Sequence, residues 1–60
     1  MSEYTKDEVI ARIYSLSASI LLGKATEEEV RRVGKLAENY GCFDVFKDEI
    51  KDCHRIIMAV

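Results

Sequence analysis

The stretch that decides the fold is Leu36-Ala37-Glu38-Asn39-Tyr40-Gly41-Cys42-Phe43-Asp44. A helical run ends within it and another begins at its far end. Gly41 has no Cβ, so it can take the left-handed backbone conformation that closes a helix. Asp44 has the short carboxylate that caps a following helix, and the third helix is expected to start there. Working back along the chain, Thr26-Glu27-Glu28-Glu29 reads as a capping box whose three carboxylates also sit against the positive end of the helix dipole. Thr5-Lys6-Asp7-Glu8 repeats the device. Gly23 falls at the end of the first run and the chain contains no proline. This punctuation predicts helices over about 6–22, 27–40 and 44–59.

Each run carries an apolar face at helical spacing, and no segment alternates with period two for long enough to make a strand. On the first helix the stripe is Val9, Ile13, Leu16 and Ile20, with Ile10, Tyr14 and Leu21 beside it. The second offers Val30, Val33, Ala37 and Tyr40; the third offers Phe46, Ile50, Cys53, Ile57 and Val60. Three such faces joined by short connections predict an all-α, compact three-helix bundle, with residues 1–60 forming a single helical domain. Gly34, on the inner side of the second helix, is read either as a place where a neighbouring helix comes close or, equally, as a tolerated weakness in the helix.

The 60 residues include 11 acids and 9 Lys or Arg, for a net charge of −2, so no broad electrostatic attraction draws the chain to nucleic acid or anionic lipid. The N-terminus is polar where a signal peptide would be apolar, and no apolar run approaches the ~20 residues of a membrane span. A cytoplasmic protein with free thiols is expected, with no membrane contact. Cys42 and Cys53 with His54 lack the spacing of a zinc site, and nothing surrounds a thiolate with a base, an orienting group and a pocket. No phosphate-cradling glycine loop is present. The expectation is therefore a protein without catalytic residues, metal or cofactor, and not an enzyme.

The corner resembles the helix-turn-helix family in residue types. Ala37 and Gly41 match the family's small residue and turn glycine, while Leu36, Tyr40, Cys42 and Ile50 stand where it packs apolar side chains. Lys47 departs, occupying a position the family buries. The resemblance implies a DNA-binding regulator that uses the corner at 36–50, with Phe43, Asp44, Val45, Asp48, Glu49 and Asp52 at the base-reading positions. Those acids would meet a polyanion, so this reading stands second.

The outer faces carry pairs at helical spacing: Glu27–Arg31, Glu28–Arg32, Asp44–Lys47, Asp48–Lys51 and Asp52–Arg55. Against that background the run from Ile13 to Gly23 holds 11 residues without a charge, and Ile56 to Val60 is a second uncharged block. A lone bundle of this size has a thin stability margin, so excess apolar surface points to pairing. The expected homodimer interface comprises Tyr14, Ser15, Ala18, Ser19, Leu21, Leu22, Ile56 and Val60, with the small residues permitting a close antiparallel crossing. Asp44, Asp48, Glu49 and Asp52 form an expected acidic face for a protein partner. The function that follows is a small acidic helical module acting by protein–protein contact, as a regulator, inhibitor or adaptor subunit.

Overall fold

The computed structural model describes residues 3–59 and shows three helices, α1 (Lys6–Leu21), α2 (Glu27–Asn39) and α3 (Phe43–Ala59). Each helix packs on both of the others, which makes the chain a three-helix bundle. Both capping boxes form. The Glu8 amide donates to Thr5 Oγ1 at 3.2 Å while Glu8 Oε1 accepts from the Thr5 amide at 2.8 Å. Thr26 and Glu29 repeat the exchange at 3.1 and 3.0 Å.

The two C-termini close in the same way. Gly23 and Gly41 both sit at φ 73°, in the left-handed region. Beyond each of them the chain turns back: the Lys24 amide donates to the Ser19 carbonyl at 2.8 Å, and the Cys42 amide to the Ala37 carbonyl at 2.9 Å. Together with the glycine amides bonding to Ile20 and Glu38, these are Schellman closures that satisfy carbonyls a helix end leaves free.

At the corner one expectation is corrected. Asp44 does not cap α3, because the helix already begins at Phe43. The Cys42 carbonyl accepts from Val45 and Phe46 and so starts the ladder, leaving Asp44 exposed in the first turn. There its charge still faces the positive end of the helix dipole.

Val9, Ile13, Leu16, Ala37, Cys42 and Cys53 are buried, with Tyr4, Ile10, Val33, Leu36, Tyr40, Val45 and Phe46 packed around the central cluster. Gly34 is buried beneath Phe46, and a Cβ added there would lie 2.9 Å from Phe46 Cζ, so the close approach is real. Ile57 departs from the expected core and is 50% exposed. Two long-range contacts explain why. The Tyr4 amide donates to Tyr40 Oη at 3.0 Å, and Ser17 Oγ lies 3.0 Å from Cys53 Sγ, so α1 and α3 run parallel in a fixed register. One turn beyond Cys53, Ile57 is level with Leu21, the last residue of α1, and has little left to pack against. Val60, the remaining expected core and interface residue on α3, lies outside the described residues.

Candidate functional site: an uncovered seam between α1 and α3

The contact between α1 and α3 is centred on Ser17 and Cys53. The buried thiol donates to the Ser17 carbonyl at 3.5 Å, with the Ser17 hydroxyl 3.0 Å from the sulfur. These small side chains let the helices approach, and they also fix which residues flank the contact. Tyr14 and Leu21 lie one turn either side of Ser17 on the same stripe of α1, and Ile56 lies one turn beyond Cys53 on α3. All three are large, apolar and open to solvent: Tyr14 is 53% exposed, Leu21 45% and Ile56 50%. Ala18, on the outward side of the same turn, is exposed as well. The wide apolar arc of α1 is therefore not used up inside the bundle.

The expected interface residues divide into two groups. Tyr14, Ala18, Leu21 and Ile56 follow the seam, and Leu22, 70% exposed, crowns it at the end of α1. Ser15 and Ser19 turn the other way, into a hollow between α1 and α2 that also includes Arg12, Glu29 and Arg32. Ile57 at 50% and Met58 at 72% exposure add apolar surface at the same end of the bundle. The sequence pattern had assigned Ile57 to the core, because periodicity reports the azimuth of a residue and not where its neighbours stop.

The acidic face also divides. Asp44, Asp48 and Asp52 recur every fourth residue and are exposed, forming one stripe along α3. Glu49 leaves that stripe. It lies one turn before Cys53, half-buried beside the seam, and among the described residues no cation stands within salt-bridge distance of it. Of the pairs expected on α3, Asp52–Arg55 forms at 2.7 Å, while Asp44–Lys47 and Asp48–Lys51 do not form. The α2 pairs form more loosely, Glu27–Arg31 at 3.5 Å and Glu28–Arg32 at 3.8 Å.

At the opposite end of the bundle the sequence reading missed a clasp. Tyr4 meets Tyr40 edge-on with ring centroids 6.3 Å apart, and the Arg12 guanidinium lies 4.6 Å over the Tyr4 ring. An apolar residue just before an N-cap, followed by one at the fourth helical position, is a hydrophobic staple; Tyr4 and Val9 carried that signal.

The corner presents Asp44, Asp48 and Asp52 to solvent at positions the helix-turn-helix resemblance assigns to base reading, and Lys47 is exposed. Val45, another of those positions, packs against the core cluster. Cys42 and Cys53 are free thiols, both buried. Among the described residues no three His, Cys, Asp or Glu side chains cluster as metal ligands, and no helix is long and apolar enough to cross a membrane. No protein-family model, curated protein or solved structure matches this chain.

Proposed function

We propose that this chain is a cytoplasmic, non-catalytic protein–protein interaction module that works as a homodimer, acting as a regulator, inhibitor or adaptor subunit of a larger assembly. The observation that carries the reading is the seam: Tyr14, Leu21 and Ile56, each about half exposed, flank the contact between α1 and α3, and none of the described residues covers them. Burying one leucine-sized side chain is worth about 1.5–3 kcal/mol, a large part of the stability of so small a domain. A second copy supplies that burial symmetrically, since two-fold pairing brings the same patch from both chains. The exposed stripe of Asp44, Asp48 and Asp52 supports a further contact with a basic protein surface.

Thermal melting across a hundredfold range of protein concentration tests the reading. A dimer melts at higher temperature as concentration rises. Ala18→Glu, at an exposed position, is expected to abolish that dependence while leaving the helical circular dichroism intact. A melting temperature independent of concentration in the unmodified protein contradicts the proposal. Salt-sensitive binding of duplex DNA at micromolar protein would instead favour the helix-turn-helix reading.

A further inference from the structure

The charges of this chain are sorted, and the sorting leaves a basic groove between α1 and α2. Two hollows, of about 430 and 560 Å³, lie along that contact and share Arg12, Arg32 and Val33, so they form one groove. None of the residues lining it belongs to α3. Along α2 it runs from Glu28 to Asn39, about 16 Å at the rise of a helix. Four cations line it, Arg12, Arg31, Arg32 and Lys35, against the carboxylates of Glu28 and Glu29, in a chain whose net charge is −2. Those carboxylates leave the cations largely open to a ligand. Glu29 is held in its capping box, where it accepts from the Thr26 amide and hydroxyl. Glu28 reaches Arg32 at 3.8 Å with both side chains in solvent, where such a pair gains little. Among the described residues, Arg12 and Lys35 have no carboxylate within salt-bridge distance.

Arg12 is also held in place. Its guanidinium lies 4.6 Å over the Tyr4 ring, and Tyr4 is fixed in turn by its edge-on contact and amide hydrogen bond with Tyr40. A guanidinium attracted to a ring face still has its N–H edge to offer to a carboxylate. The clasp therefore keeps one cation ordered at the wall of the groove, which lowers the cost of ordering it on binding. Between the cations the floor is apolar, with Tyr4, Val33 and Leu36 half-buried there. Charge makes the occupant acidic, and the floor decides its class. A nucleic acid duplex or a flat anionic lipid surface would meet the exposed tips of the cations and leave Val33 and Leu36 uncovered. A lone phosphate would have nothing to place on them. An acidic protein segment satisfies both features. We propose that the groove between α1 and α2 docks an acidic peptide segment of a partner protein, with an apolar side chain seated on Val33 and Leu36 between carboxylates that reach Arg12 and Lys35. This site lies on another face from the seam and does not depend on the homodimer reading.

A peptide array probed with the full chain tests the assignment. It carries glutamate-rich peptides of about ten residues, long enough to span the groove as a helix, with one leucine or phenylalanine moved through every position. Beside them stand the same peptides with lysine in place of glutamate, and with serine in place of the apolar residue. The acidic peptides with an apolar residue are expected to retain the protein and their lysine and serine counterparts to release it, with retention falling as salt is raised. Arg12→Gln with Lys35→Gln is expected to weaken the tightest peptide about tenfold by fluorescence anisotropy. Lys47→Gln with Lys51→Gln removes the same charge from exposed positions of α3 and is expected to leave that affinity unchanged. Unaltered helical circular dichroism in both double variants makes the comparison one of binding alone. Failure of every acidic peptide to retain the protein, equal retention of the serine counterparts, or equal weakening by the two double variants overturns the proposal. So does tighter binding of a DNA duplex or a phosphatidylserine vesicle that Arg12→Gln with Lys35→Gln abolishes, because the groove would then belong to that ligand.

Discussion

At the scale of single residues, Gly34 and Phe46 show how a weakness in local propensity serves packing. Glycine inside a helix costs about 1 kcal/mol relative to alanine. Here it leaves room for an aromatic ring that a Cβ would meet at 2.9 Å. Overpacking costs about 1–3 kcal/mol, so Gly34→Ala is expected to destabilise the protein by about 1 kcal/mol after the propensity gain is returned. In a Phe46→Leu background the same change is expected to stabilise, and chemical denaturation of the four variants measures the reversal. The sequence left Gly34 open between a close approach and a tolerated weakness in the helix, and the ring of Phe46 beside it decides for the first. That its neighbour is Phe46 was not legible, because the register between α2 and α3 is set by the corner and the core together.

At the scale of elements, the ends of the helices were the most legible feature and the surface pairs the least. Capping boxes and glycine closures are local chemistry, written within a few residues, and all four ends they punctuate appear where those residues stand. Thr26→Ala removes the acceptor for the Glu29 amide and is expected to lower stability by about 1 kcal/mol, read from the urea midpoint. Asp44 shows the limit of such reading: the caps Asp44 and Cys42 are alternatives two residues apart, and the tight exit from Gly41 decided for the backbone carbonyl of Cys42. On the outer face of α3, only one of three spaced pairs closes, because exposed ion pairs gain little and must immobilise long side chains. Asp48→Asn with Asp52→Asn is therefore expected to retain the fold, with a stability loss below about 1 kcal/mol. Loss of helical circular dichroism in that variant would show that the stripe supports the fold.

At the scale of the whole molecule, the bundle follows from three amphipathic faces, and the exposure of Tyr14, Leu21, Leu22 and Ile56 was legible in the uncharged apolar arc of the sequence. Where those residues stand was not legible: the register fixed by Ser17 and Cys53 makes Tyr14 and Leu21 flank the contact with α3. The same register strands Ile57, because apolar spacing continues past the point where α1 ends. The free, buried thiols predict that chelator and reductant together shift the melting temperature by no more than a degree or so; a large fall with chelator alone would reveal a structural metal. The central claim concerns the seam, and sedimentation equilibrium at tens of micromolar tests it most directly. The account predicts a dimer mass for the unmodified chain and a folded monomer for Ala18→Glu; a well-folded monomer before the substitution, unchanged after it, would contradict it.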